Sequence, residues 1–286
     1  MFGFLFRLDS SNREELLALL REAKNKEICV FTNRNDPKIN NLNLIGRYSV
    51  LPFYQELEDD LAFSKSKLIH DVWIHNYIAG FSGWHARAMA VNPEHQPEAW
   101  GMSKFCRQAP ANKKYVVKGA TNSRKHSWNK KMFAANKNIA LDIAAELSQD
   151  SLICDQPIIF KEYVPLETFE VGINDLPFVN EWRCFFLGEH LIASGFYWSI
   201  AEIAEKKQKE GIPFEGLTLA MNMASEINKY FSYEKTPFLA IDVAKKKYSN
   251  GWIITDVNDG QMAGLSMINP SHFYKNLILT AEKLSL

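Results

Sequence analysis

Two apolar runs near the C-terminus carry a clear period-2 pattern: FLAIDVA at 238–244 and GWIITDVND at 251–259. Both are rich in Ile, Val, Thr and aromatics, which pack well on a pleated surface. The polar stretch between them ends in Asn250-Gly251, a turn signal. The pattern predicts a hairpin whose side chains alternate between two faces. Leu239, Ile241, Val243, Ile253 and Val257 fall on one face, as its buried set. Asp242, Asp256 and Asn258 fall on the other, with Asp242 opposite Ile254 or Asp256. A slip of one residue would turn Asp242 into the core.

Upstream, the pattern alternates between strand and helix. FGFLFRL reads as a strand. SSNREELLALLREAKNK reads as a helix, with Ser10 or Ser11 as N-cap, Glu14 or Glu15 completing a capping box, and Leu16, Leu17, Leu19 and Leu20 on one apolar side. EICVFTN and RYSVLPFY read as further strands, so the first third is β-α-β and implies a parallel sheet. SKLIHDVWIHNYIAGF and GWHARAMAV fit strand or helix equally. Pro93, Pro97 and Pro110 interrupt residues 92–114 and suggest a boundary, giving an N-terminal unit at 1–110 and a second at 111–286. In the second unit, KKYVVKG and PIIFKEYV read as strands. NKNIALDIAAELSQ, the charged AEIAEKKQKEG, LTLAMNMASEINKYF and SHFYKNLILTAEKL read as helices. EWRCFFLGEHLIASGFYWS reads as a hairpin turning at Gly188-Glu189, which sets Arg183 opposite Ser194. The fold class is mixed α/β and α+β.

Composition narrows this picture. Of 286 residues, 47% are apolar and 23% charged, which supports a sizeable core in about two domains. Lys+Arg and Asp+Glu balance at 33 each, which speaks against binding nucleic acid or membranes by bulk charge. The four cysteines, Cys29, Cys106, Cys154 and Cys184, form no CxxC pair. Structural zinc and a disulfide scaffold are therefore not expected, and reduced thiols in the cytoplasm are. MFGFLFRLDSS is too short for a secretion signal, and no apolar run is long enough to span a membrane.

Several residues carry candidate chemistry. Two carboxylates and an amide converging from Asp242, Asp256 and Asn258 repel unless a cation sits among them, and oxygen donors of this kind suit Mg²⁺. The alternative is a solvated hairpin face. Lys118 ends a strand and runs into Gly119-Ala120-Thr121-Asn122-Ser123-Arg124-Lys125, where small residues and positive charge could meet phosphates. An ordinary polar loop accounts for it equally well, since the Walker pattern is absent. Arg183 lies among bulky apolar residues and needs a partner. Either it pairs with Glu181 or Asp242, or it clamps a phosphate. Lys161, Glu162, Tyr163 and Val164 run towards a kink at Pro165, where backbone could meet an adenine edge and Glu162 or Glu167 a ribose. Exposed strand-end charges are the alternative. The His and Trp residues at 70–100 lack metal spacing and read as packing residues.

Taken in order, residues 113–286 resemble the ATP-grasp superfamily. The resemblance implies ATP and Mg²⁺ as cofactors. Lys118 before a glycine-bearing loop would bind phosphate, and the segment with Lys161, Glu162, Tyr163, Val164 and Glu167 would hold adenosine. Arg183 would contact the transferring phosphate. Asp242 with the acid-x-Asn of Asp256 and Asn258 would ligate magnesium. The leading β-α-β region resembles the smaller Rossmann-like domain that precedes ATP-grasp domains. RYSVLPFY and HDVWIHNYIAGFSGWHARA resemble a bacterial and phage branch of unassigned substrate. The implied activity is a ligase that joins a small-molecule or peptide carboxylate to an amine through an acyl phosphate. A small-molecule kinase and a non-catalytic nucleotide-binding relative are the alternatives.

Overall fold

The computed structural model describes residues 2–48, 54–231 and 235–286. The leading apolar run forms β1 (Phe2–Phe6), followed by α1 (Arg13–Lys24), β2 (Val30–Phe31), β3 (Asn43–Arg47), α2 (Tyr54–Phe63) and β4 (Lys67–Leu68). These strands make a parallel sheet of order β2-β1-β3-β4. The third strand is Asn43–Arg47 rather than RYSVLPFY. Residues 49–53 of that segment lie outside the described residues, and Tyr54 already begins α2.

Helix α1 lacks the expected capping box. Asn12 sits at the N-cap position without a side-chain cap bond, because its carboxamide donates to Arg7 O and accepts from Asp9 N. Ser11 bonds to Asp9. Leu16 and Leu19 are buried, while Leu17 and Leu20 face solvent.

Glu15 is instead a buried ion-pair partner. Its Oε1 lies 2.9 Å from Arg47 Nη2, and Tyr48 and Tyr274 hydroxyls donate to the same carboxylate. The Arg47 guanidinium also donates to Ala263 O at 3.1 Å and to Gly260 O. A single buried cation therefore ties β3 to α1 and to the chain beyond residue 259.

Helices α3 (Val72–Ala79) and α4 (Phe81–Val91) follow. A second sheet, antiparallel and ordered β5-β8-β6-β7, contains β5 (Ala99–Gly101), β6 (Tyr115–Gly119), β7 (Phe133–Ala134) and β8 (Ile158–Glu162). It carries α5 (Met102–Gln108), α6 (Trp128–Lys131) and α7 (Lys137–Leu147). Residues 99–101 thus join a sheet whose other strands all lie beyond residue 114.

A small hairpin, β9 (Thr168–Val171) with β10 (Pro177–Val179), leads to the third sheet. That sheet is antiparallel, of order β12-β11-β13-β14, from β11 (Glu181–Leu187), β12 (His190–Phe196), β13 (Phe238–Lys245) and β14 (Trp252–Asp259). The remaining helices are α8 (Ala204–Glu210), α9 (Phe214–Asn228) and α10 (Pro270–Lys283). Among the described residues, no helix is long and apolar enough to cross a membrane.

Every residue of β11 is buried, so both faces of the third sheet are covered. One face is apolar throughout: Trp182, Cys184, Phe186, Leu239, Ile241 and Val243 pack in the core that holds α9. The other face changes character along its length. Phe185, Leu187, Phe238 and Ala240 pack against α10 and β1, whereas Glu181, Arg183 and Asp242 continue the same alternation as charged groups. The site begins where the apolar half of that face stops.

Two bulges reset the expected registers. One between Phe185 and Phe186 sets Arg183 opposite Gly195 and moves Ser194 opposite Cys184. Glycine is required at 195, because a Cβ there would lie 2.9 Å from Ile268 N. In the C-terminal hairpin, Asp242 faces Asp256, but Val243 pairs with Ile254, leaving Thr255 as the extra residue. Ile254 therefore joins the apolar core in place of Ile253, which lines the cleft. Gln96 supports the bulge by donating to Ile254 O at 2.9 Å and accepting from Ile254 N at 3.1 Å.

Removing Arg47 would strand the buried Glu15 carboxylate. Arg47→Met should cost about 3–5 kcal/mol in urea unfolding, and the double change with Glu15→Leu should cost less than the single one.

Candidate active site

The second and third sheets face each other across a cleft whose wall includes Val116, Met132, Val164, Leu176, Val179 and Ile253. Charged side chains line one end. On the second sheet, Val116 pairs with Lys161 and Lys118 with Ile159, so the two lysines project from one face. Lys118 Nζ lies 3.1 Å from both oxygens of Asp256 on the opposite sheet. Lys161 Nζ approaches the carbonyls of Thr255 (3.3 Å) and Ile254 (3.4 Å), which the bulge turns towards it. Burial, then the nearby charge of Lys118, pulls the Lys161 amine down to about 8.

The third sheet supplies the acids. Arg183 forms a bidentate pair with Asp242, with Nε–Oδ1 and Nη2–Oδ2 both 2.8 Å. Its Nη1 donates to Gly264 O at 2.8 Å, and its guanidinium lies over the Tyr197 ring at 4.8 Å. Burial raises Glu181 above the usual carboxylate range, and Thr255 Oγ1 donates to it at 2.8 Å. Burial would also raise Asp256, but Lys118 and then Lys125 outweigh it and hold that carboxyl below its ordinary value. Four cations (Lys118, Lys125, Lys161, Arg183) stand against three carboxylates (Glu181, Asp242, Asp256), leaving one positive charge. That balance suits a polyanionic ligand.

The glycine-bearing loop differs from its expected form. A Cβ at Gly119 would lie 2.8 Å from Gln156 Oε1, so glycine lets that amide come close. Gln156 Oε1 then accepts from Thr121 N (3.0 Å) and Asn122 N (3.3 Å), so these loop amides are occupied by a side chain. Arg124 turns to Asp150, with Nε–Oδ2 at 2.9 Å. Lys125 enters the cleft, donating to Tyr197 O–H at 2.7 Å. Burial would lower the Lys125 amine, but Tyr197, Glu181 and Asp242 together hold it above its usual value.

Glu162, Tyr163 and Val164 line the cleft. The Glu162 carboxylate reaches Lys113 at 2.7 Å, and the Tyr163 amide bonds to Lys114 O. Glu167 is not among the cleft-lining residues, and it accepts from Asn180 Nδ2 at 2.6 Å. Asn258 lies two residues beyond Asp256 on the same face, in register with Ala240.

The donor set fits Mg²⁺. Two opposed carboxylates and a neighbouring amide offer oxygen ligands only, and magnesium takes one or two carboxylates and completes its shell with phosphate oxygens and water. Among the described residues, no three His, Cys, Asp or Glu side chains gather as a metal group. His70 and His75 instead take Asp259, with His70 Nδ1–Oδ1 at 2.9 Å and His75 Nδ1–Oδ2 at 3.2 Å.

Glu181, Thr255 and Tyr197 escape a reading of the sequence as site residues. The one usable signal is parity: Glu181 stands two positions before Arg183 and so shares its face. Thr255 needed the bulge, and Tyr197 follows the end of β12.

A cleft between two antiparallel sheets, lined by lysines on one and acids on the other, is the arrangement of an ATP-grasp protein. The chain belongs to that superfamily: residues 108–277 match a family described as an "ATP-grasp domain", the family numbered 3 in its clade. A search of curated proteins returns no match. Solved structures show the same fold at low identity. A RiPP-associated ATP-grasp ligase of Chryseobacterium gregarium, in complex with ADP and a leader and core peptide, is similar with TM-score 0.58 and 10% identity over 99% of this chain and 97% of that one. A RimK domain ATP-grasp protein of Sphaerobacter thermophilus gives TM-score 0.57 and 11% identity over 96% and 100%. D-alanine–D-alanine ligase of Bacillus anthracis, complexed with ATP, gives 0.55 and 12% over 99% and 97%.

Lys161 sets a pH signature. Its amine loses a proton as pH rises through about 8, and the charge available to a phosphate goes with it. Mg-ADP affinity should therefore fall between pH 7 and 9 in calorimetric titrations, and Lys161→Arg, cationic throughout, should flatten that fall.

Proposed function

We propose that this chain is an ATP- and Mg²⁺-dependent ligase that joins a carboxylate to an amine. One observation carries the reading: Asp242 and Asp256 directly opposed, each held by a cation, with Asp256 facing Lys118 and Lys161 in a cleft that also offers apolar lining and Asp242 buried just behind it. Asp242, Asp256 and Asn258 would hold Mg²⁺, which when bound neutralises charge on phosphate oxygens.

Lys118, Lys161 and Lys125 draw the phosphates of ATP into the charged end. Val116, Met132 and Leu176 offer adenine an apolar seat, and Glu162 is the acid placed for a ribose hydroxyl. A carboxylate oxygen of the substrate attacks the γ-phosphorus. The bond to the β,γ-bridging oxygen breaks, giving ADP and an acyl phosphate. The amine nitrogen then attacks the acyl carbon and loses a proton, and inorganic phosphate departs. Arg183 and Lys118 bear on the equatorial oxygens during transfer; one such donor contributes about 3 kcal/mol to a transition state. Lys125 sits on the loop at 119–127, whose position over the cleft shields the acyl phosphate from water.

Amino acids or peptides are the proposed substrates, a class in keeping with the peptide named with the Chryseobacterium ligase. A cytoplasmic setting supplies ATP and accords with four cysteines that are all free.

The reading is tested by phosphate release from Mg-ATP over pairs of amino acids and peptides. Release that needs both co-substrates supports the ligase. A stable phosphorylated product formed without an amine would make the protein a kinase, and no turnover with any pair would leave a binding protein. Asp256→Asn should lower turnover at least about 100-fold, the scale of one lost electrostatic stabiliser, while the thermal midpoint moves only a few degrees. Arg183→Lys keeps a cation beside Asp242 but loses the bidentate fork. It should reduce kcat more than nucleotide affinity, and an unchanged kcat would make Arg183 a purely structural residue.

A further inference from the structure

The N-terminal sheet holds a second cleft, separate from the one between the two antiparallel sheets. Strand order β2-β1-β3-β4 means that the chain leaves β1 towards β2 and then crosses back to place β3 on the other side of β1. Neighbouring β1 and β3 thus send their following segments in opposite directions. A parallel sheet opens a crevice at the carboxyl ends of such a pair, and ligands bind there. A cavity occupies this place, bordered by the ends of β1 and β3, the turn after β2 and the start of α2.

Its lining carries charges of both signs beside apolar side chains. Arg34, after β2, lines one side; Asp60 engages its Nε at 2.8 Å, so its orientation is set while the Nη edge suits a carboxylate. Glu56, in the first turn of α2 and one turn before Asp60, also lines the cavity and suits an ammonium. Leu57 and Leu68 form an apolar floor, and Met262 closes the wall. The buried Arg47 beneath is consumed by Glu15 and the carbonyls of Gly260 and Ala263, so it stiffens the floor.

Met262 also lies on a segment that contacts both regions. It belongs to the loop that leaves β14 four residues after Asn258. In that loop Gln261 Oε1 accepts from Gly46 N at 2.8 Å, and Gly264 O takes Arg183 at 2.8 Å. One short segment thus touches the floor of the N-terminal crevice and the guanidinium of the charged cleft.

We propose that this crevice binds a free α-amino acid with an apolar side chain. Arg34 takes its carboxylate, Glu56 its ammonium, and Leu57, Leu68 and Met262 its side chain. Its role as co-substrate rests on the ligase reading; the binding does not.

The test is calorimetric titration of the full chain, without nucleotide, using L-leucine and L-methionine. The comparators are 4-methylpentanoate, which lacks the ammonium, and 3-methylbutylamine, which lacks the carboxylate. At least one of the amino acids should bind saturably at one site, with each comparator at least about tenfold weaker, as expected when a polar partner is left unpaired. Arg34→Gln and Glu56→Gln should each weaken the amino acid about tenfold or more, with Mg-ADP affinity unchanged. No binding of either amino acid would overturn the proposal, and so would binding that both substitutions leave intact. Amino-acid binding in a protein that fails to bind Mg-ADP would uphold the crevice and sink the ligase reading alone.

Discussion

Asp242 and Asp256 stand face to face across β13 and β14, and two carboxylates this close are tolerable only among positive charges. The fold meets that demand from two directions. Arg183 comes from the adjacent strand of the same sheet as a bidentate partner of Asp242, and Lys118 comes from the facing sheet to Asp256. The charges that make the site useful therefore also hold its two walls in register. Removing one member of either pair would leave a poorly solvated charge, so the same side chains serve the packing of the walls and the site.

That arrangement depends on the third sheet being buried on both sides. A sheet with one solvated face could not keep Glu181, Arg183 and Asp242 dry. Here the same alternation that packs Phe185 and Leu187 under α10 carries on into charged residues once the helix no longer covers them. The opposite face, packed on α9, is apolar without interruption and fixes the plane from which the charges project.

The parallel N-terminal unit is fastened to this sheet by buried polar contacts as well as by apolar packing. Arg47 reaches from β3 to the carbonyls that follow β14, and Asp259 at the end of β14 takes His70 and His75. Burial would raise the Asp259 carboxyl, but the two imidazoles hold it well below its ordinary range. Both contacts land within a few residues of Asp256 and Asn258, so the exit of the acid-bearing strand is anchored by residues from the first third of the chain.

Much of this was legible in one dimension. Period-2 runs mark the C-terminal hairpin and the turn at Gly188-Glu189, and period-3.6 runs mark α7, α9 and α10, because local sterics and one buried face suffice to set an element. The parity of Asp242, Asp256 and Arg183 could likewise be read from alternation alone. What escaped were non-local choices. β3 lies at Asn43–Arg47 because pairing with β1 selects Leu44 and Ile45. Glu15 looks like a capping residue until Arg47 arrives from 32 residues away. The bulges at Thr255 and beside Phe185 follow from how neighbouring segments pack, and they decide which isoleucine enters the core and what faces Arg183. Local pattern is enough to mark the strongly periodic strands and helices and, between bulges, which side chains share a face. Register, charge partners and the closing of the loop amides onto Gln156 had to wait for the folded chain, because each of them is settled by an atom contributed from a distant part of it.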